Sequence, residues 1–300
     1  MDPTSSSHTL HLQVPSPLSV IRDDRLTNSG IELYLKRDDL ISDEIPGNKW
    51  RKLKYNIEAA RREEHSTLLT FGGAYSNHIR AVASAGVIYG FKTIGIIRGE
   101  EHASLNWSLA RAEALGMRLE YVDRTTYRNK KTPQFLKSIR QKYGNFYLIP
   151  EGGSNDLAVK GCVEIPQEIL IPFDLICCPC GTGGTLAGIS MGIKDGQHAR
   201  GFAALKGASF LDQEVSELQR ATGSLTHNWR IEQDYHFGGF AKRNAELTNF
   251  IHDFSERHGI QLEWTYVAKM MYGIFNLAQR ELLKDSTVVA VITGPAEPAA

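Results

Sequence analysis

Residues 66–99 read STLLTFGGAYSNHIRAVASAGVIYGFKTIGIIRG. An apolar run of strand length ends at Phe71, and Gly72 and Gly73 allow a tight turn. Apolar residues then recur at helical spacing until a second strand-like run opens at Lys92. Ser76 or Asn77 can cap the intervening helix, because a short polar side chain accepts a bond from the free N–H groups of a first turn. The stretch is a strand–helix–strand unit.

The alternation continues outward. KTIGIIRG precedes ASLNWSLARAEALG, RLEYVD precedes TPQFLKSIRQKYG, and DLICCPCG precedes GTLAGISMGIKDG. Repeated units of this kind specify an α/β fold class with mostly parallel sheets. YLIPEGGSNDLAVKG, at 147–161, interrupts the pattern with Pro, Gly and Asn and is the best candidate for a segment crossing between domains.

Of 300 residues, 42% are hydrophobic and 23% charged, the balance of a globular protein with a substantial core. Thirty-four basic and 34 acidic residues cancel. Neither nucleic acid nor an anionic membrane is therefore the expected partner, and a small molecule is. No apolar run reaches the ~18 residues that span a bilayer, and MDPTSSSHTLHLQVPSPL lacks the basic start and apolar core of a secretory signal. A cytoplasmic location is the default expectation. Cys177 and Cys180 in CCPC form a C-x-x-C pair, but without a second pair or spaced histidines they read as small hydrophobes on a buried strand, not as a metal site.

Ligands of open α/β sheets bind beyond the carboxyl ends of the strands, so the strand-to-helix turns carry the functional information. GGAYSN, at 72–77, brings a helix N-terminus that suits a carboxylate or phosphate. Gly181, Gly183 and Gly184, interleaved with Thr182 and Thr185, form a candidate phosphate nest that lacks both the Walker pattern and a full dinucleotide fingerprint. In EIPGNKWRKLKYN, at 44–56, Pro46 and Gly47 make a turn, Asn48 is a good N-cap, and Trp50, Leu53, Ile57 and Ala60 mark a helix face. Lys49 then falls in the first helical turn, where a cation opposes the macrodipole, so a lowered pKa or a covalent use of its amine is physically reasonable. Arg51 and Lys54 read as ordinary surface or packing cations, and Lys52 by itself as an exposed helix lysine.

Taken together, GNKWRKL, GGAYSNHIRAVAS and CGTGGTLAG resemble the pyridoxal-phosphate enzymes of the tryptophan-synthase-β type, fold type II. Within these the chain looks most like the branch of D-cysteine desulfhydrase and 1-aminocyclopropane-1-carboxylate deaminase, with further matches at LKRDDL, EGGSN, YHFGGFAK and YVAKMMYGI. The resemblance implies two open α/β domains with pyridoxal 5'-phosphate in the cleft between them. The larger would comprise 1–55 and 156–300, and the smaller 56–155. It also implies a homodimer acting on a small amino acid. On it, Lys49 matches the lysine that holds the cofactor covalently and moves the substrate proton. Lys52 and the loop Gly181–Thr185 match the phosphate site, Asn77 the contact to the cofactor ring, and Ser76 the residue beside the substrate carboxylate. Tyr266 matches an active-site tyrosine, and Thr293 the partner of the pyridine nitrogen. A neutral hydroxyl there makes the ring a weaker electron sink, which suits elimination.

Three positions depart from the family pattern. Val267-Ala268-Lys269 stands for Thr-Gly-Lys, Phe240 for a second tyrosine, and TGPAEPAA for a Thr-Gly-Gly ending with a longer tail. Loss of the Phe240 hydroxyl weighs against cyclopropane opening and favours D-cysteine desulfhydrase-like α,β-elimination. The alternatives are the deaminase, a serine or threonine dehydratase, and a protein that binds the cofactor without turnover.

Overall fold

The computed structural model describes residues 10–45, 47–101 and 104–296. The expectations for the first nine residues, for Pro46 and for the tail from residue 297 lie outside them. In chain order the strands are β1 (Leu18–Ile21), β2 (Glu32–Lys36), β3 (Thr67–Gly72), β4 (Lys92–Arg98), β5 (Met117–Val122), β6 (Tyr147–Ile149), β7 (Leu175–Cys180), β8 (His198–Ala203), β9 (Trp229–Glu232) and β10 (Thr287–Val291). They make two sheets, of order β5-β4-β3-β6 and β1-β2-β10-β7-β8-β9. Every recorded strand pairing is parallel except β1 with β2.

The chain forms two compact units that divide after Lys52 and again after Gly153. The resemblance implies breaks at 55/56 and 155/156, and it assigns everything before residue 56 to the larger domain. Instead, Ser42–Ile45 and the described residues up to Leu12 group with the smaller unit, where their contacts lie.

In the smaller unit, Leu69, Phe71, Ile94 and Ile96 pack with Tyr127 and Phe146 on one face of the sheet. The helix Asn77–Tyr89 turns a small-residue face of Ala81, Ala85 and Gly86 inward. A Cβ on Gly86 would lie 2.5 Å from Thr93 Cγ2, so glycine lets helix and strand approach closely. β3 runs one residue beyond Phe71. Of the two candidate caps it is Ser76 that accepts from the Ile79 N–H, at 3.3 Å.

The larger sheet is covered on both faces, which is why its central strands are apolar without alternation. Cys177, Val288 and Ala290 face one core, and Ile176, Cys178, Val289 and Val291 the other. All four cysteines are buried and unbridged, as packing residues. From β7 the sheet steps through β8 to β9 in one direction, while β10 lies on the other side of β7. Such a reversal is where ligands of open α/β sheets bind, beyond the carboxyl ends of the strands, and here the 181–185 loop and Thr293 follow β7 and β10.

Candidate active site

The helix Asn48–Arg62 starts against the end of β10. Gly47 has φ +68°, and a Cβ there would lie 1.9 Å from the Thr293 carbonyl oxygen. Only glycine fits. The Asn48 N–H donates to that carbonyl at 3.1 Å. The Asn48 side chain departs from its expected capping role because Asn48 is itself the first helical residue; it is buried, and its Nδ2 donates to Thr185 Oγ1 at 2.8 Å. That bond serves Thr185, which is itself buried and whose hydroxyl needs a partner. The lysine helix is thereby tied to both the glycine–threonine loop and Thr293.

Lys49 sits in the first turn and is partly buried. Burial, with the charge of Lys52 as the next cause, pulls its pKa down to about 7. An amine held this way is substantially unprotonated at neutral pH, which is the state a nucleophile or base requires.

Lys52 is 2% exposed, so it is no surface lysine. Its Nζ donates to Ser154 Oγ at 2.9 Å, and Ser154 Oγ lies 2.6 Å from Thr182 Oγ1. A Cβ on Gly184 would sit 2.7 Å from Ser154 Oγ and 3.1 Å from Lys52 Nζ. Gly183 adopts φ +74° at the head of the helix Gly184–Gly192. An ammonium, two hydroxyls and a helix N-terminus therefore converge on a space kept open by glycine, which matches a tetrahedral anion. The sequence reading gave Ser154 no role, although a hydroxyl inside the glycine turn 151–155 was a usable signal.

Arg51 is not a surface cation either. It is fully buried, and its Nε and Nη2 reach the two oxygens of Asp38 at 2.7 and 2.8 Å. Nη1 and Nη2 reach Glu168 at 2.8 Å each, and Lys36 Nζ donates to the same carboxylate at 2.6 Å. This network holds the helix segment that bears Lys49 and Lys52. Lys54 is half-buried, with Nζ 4.7 Å from the Tyr55 ring centroid.

Tyr266 immediately precedes the helix Val267–Gln279. The Glu263 carboxylate, buried four residues before Val267, accepts from the N–H groups of Tyr266 at 2.8 Å and Val267 at 3.2 Å. It supplies the cap that positions the tyrosine. A Cβ on Gly181 would meet Tyr266 Cε1 at 3.0 Å, so the ring lies against the head of the glycine loop. Phe240 meets Tyr266 edge-on with centroids 5.7 Å apart. Lys269, one turn into the helix, donates to the Gly239 carbonyl at 2.8 Å and so ties the Phe240 loop to the Tyr266 helix. Burial draws its pKa down to about 8. Within the larger unit, then, Lys52 and Tyr266 meet the glycine–threonine loop directly. Lys49 and Thr293 are joined to it through Asn48.

Ser76 and Asn77 belong to the smaller unit. Ser76 caps its helix beside the glycine turn, and a Cβ on Gly72 would come within 2.8 Å of its Oγ. Asn77 Oδ1 accepts from Arg80, whose other terminal nitrogen donates to Ser108 Oγ at 2.8 Å. His78 is buried behind them, 2.8 Å from Thr70 Oγ1, which anchors the helix start to β3.

Residues 11–294 match the model of the family described as pyridoxal-phosphate dependent enzyme. A Thermotoga maritima protein, provisionally named a 1-aminocyclopropane-1-carboxylate deaminase, is 31% identical over 297 residues, or 93% of each chain. The Arabidopsis thaliana protein named bifunctional D-cysteine desulfhydrase/1-aminocyclopropane-1-carboxylate deaminase, mitochondrial, is 29% identical and covers 93% of this chain and 74% of its own. A crystal structure titled as that of an ACC deaminase homologue superposes with a TM-score of 0.82 at 26% identity, covering 93% of this chain and 89% of that one.

Proposed function

The chain belongs to the pyridoxal-phosphate-dependent enzymes, and from that premise we propose that it catalyses α,β-elimination on a small amino acid, D-cysteine or a β-substituted D-alanine, releasing pyruvate, ammonia and the leaving group. The observation that carries this reading is Lys49, partly buried in the same helical turn as an anion basket built by Lys52, Ser154 and Thr182, where burial lowers its amine's pKa to about 7. When bound, pyridoxal phosphate supplies an aldehyde for a lysine amine and a conjugated ring that accepts the electrons left by a departing α-proton.

The residues divide the remaining work. Lys52, Ser154, Thr182, Thr185 and the N–H groups that follow Gly183 hold the phosphate. Lys49 provides the covalent anchor and moves the proton at the substrate α-carbon. Thr293 offers a neutral hydroxyl to the ring nitrogen, and Asn77 contacts the ring. Ser76 and its helix N-terminus orient the substrate carboxylate, and Tyr266 packs beside the substrate. Resemblance alone supports a homodimer in the cytoplasm; the printed name of the Arabidopsis relative places that protein in mitochondria.

The test is an absorbance spectrum of cofactor-loaded protein during addition of D-cysteine, D-serine and L-serine, with pyruvate measured in parallel. Pyruvate from D-cysteine supports desulfhydrase-like elimination, and release from L-serine alone identifies a dehydratase. A spectral shift with no keto acid from any of them, from L-threonine or from the cyclopropane amino acid identifies a binding protein.

Two variants test the assignments. Lys52→Met removes a charge-assisted bond to the phosphate and is expected to weaken cofactor affinity about 10- to 100-fold by equilibrium dialysis, whereas an unchanged affinity would place the phosphate elsewhere. Phe240→Tyr puts a hydroxyl back beside the Tyr266 ring. It should raise turnover of the cyclopropane amino acid and of substrates with poor leaving groups, and no change in their rates would remove Phe240 from the substrate's surroundings.

A further inference from the structure

At the amino ends of the larger sheet, away from the carboxyl-end loops, Leu175, His198 and Trp229 open β7, β8 and β9 around a cleft of about 460 Å³. We propose that this cleft binds a small organic monocarboxylate through Arg200.

Arg200, on β8, is 9% exposed and lines the cleft. Its Nε and Nη1 are buried without a hydrogen bond. The nearest carboxylate is Glu232, 3.5 Å from Nε, and Glu232 lies closer to Arg230, at 3.1 Å. A guanidinium enclosed in this way is costly, and groups in native folds that lack partners call for an ion, water or ligand to complete them. Burial also holds its pKa below the usual arginine range.

The charge and lining of the cleft narrow the ligand. Arg200, Arg230 and Lys284 line the cleft together with Asp174, and Glu232 lies beside Arg200 and Arg230 without being part of the lining, so these five groups carry one net positive formal charge. A single negative charge balances it, and a dianion would meet both carboxylates. Nε and Nη1 are covered, so a carboxylate in the cleft would draw the guanidinium toward it as a charge-assisted partner. Trp229, Leu282 and Leu283 supply apolar surface for the body of the molecule.

The test uses the cofactor-loaded enzyme with phenylacetate as the probe and 2-phenylethanol as its uncharged match. Phenylacetate is expected to bind saturably by calorimetry and raise the thermal midpoint, and 2-phenylethanol to bind about tenfold or more weakly. The visible absorbance of the cofactor should stay constant, which separates this cleft from the lysine site. Arg200→Met should abolish the phenylacetate response while its ligand-free midpoint stays at or above that of the parent, because the buried guanidinium is gone. Arg200→Lys should keep a weakened response. The proposal is overturned if the parent does not bind phenylacetate, if binding survives Arg200→Met, if the alcohol binds equally well, or if phenylacetate perturbs the cofactor spectrum.

Discussion

Lys49→Ala is expected to abolish the visible band of the lysine-bound cofactor and to lower pyruvate release by about 10³-fold or more, since one side chain is lost as both anchor and proton carrier. Lys49→Arg should be as inactive, because a guanidinium stays protonated and cannot attack an aldehyde. Burial lowers the Lys52 pKa as well, but its amine is committed to Ser154 and so does not substitute. The pH dependence is a sharper test. With a pKa of about 7, Lys49 is increasingly unprotonated as pH rises through 7, so capture of pyridoxal phosphate by the cofactor-free protein should climb around that pH and then level off. An ordinary lysine would still be climbing near pH 10. Lys52→Met removes the neighbouring charge that helps depress this pKa, so the half-point should move upward. A borohydride-reducible adduct at the same site in Lys49→Ala would sink the assignment. Linkage has the same sign: between the folded value near 7 and the usual 10.5, the unfolded chain holds the extra proton. Lys49 therefore makes the cofactor-free fold more stable as pH rises through that window.

The features legible in the sequence are those written in local pattern. The βαβ alternation, the helix cap at Ser76 and the glycine loop after β7 each depend on residues within a few positions of one another, and the structure has them there. The odd placement of Lys49 was legible for the same reason, since the first turn of a helix is a local address. What failed was any judgement that needed a partner far along the chain. Asn48 has the chemistry of a cap, but it is the first residue of the helix, and its amide bonds a buried hydroxyl 137 residues away. Arg51 sits among cations in sequence, and only the folded chain brings Asp38 and Glu168 to it. Ser154 needed the approach of Lys52 from 102 residues away before its role could be read. Phe240 was legible as a departure from a family pattern. Its edge-on packing against Tyr266 is what places that departure on the wall of the candidate site.

Arg51→Met carries the largest expected loss of stability. The substitution leaves Asp38 fully buried and Glu168 nearly so, with Lys36 as the remaining close cation on Glu168. Breaking such a network from one side costs about 3–5 kcal/mol, most of it the burden of uncompensated buried charge. Adding Asp38→Asn to Arg51→Met removes one of those stranded charges, so the double variant should lose less than the two single losses combined. Acid sensitivity reports the same network. Burial alone would raise the Glu168 pKa, but the bonds from Arg51 and then Lys36 outweigh it and bring it from the usual 4.5 to about 2. A depressed folded pKa means stability that is fully present above about pH 5 and lost as pH falls toward 2, amounting to about 3 kcal/mol. In Arg51→Met the burial effect is left with Lys36 and the Ser16 N–H against it, and this acid-labile contribution should shrink or change sign. Because the network grips the helix turn that carries Lys49 and Lys52, cofactor affinity should fall along with stability, in contrast to Lys52→Met, which is expected to weaken the cofactor with a smaller loss of stability. Denaturant titrations at pH 7 and pH 4, run with and without cofactor, separate the two cases. A loss below about 1 kcal/mol for Arg51→Met at pH 7, the range of an exposed ion pair, would mean that the network does not hold the lysine helix in place.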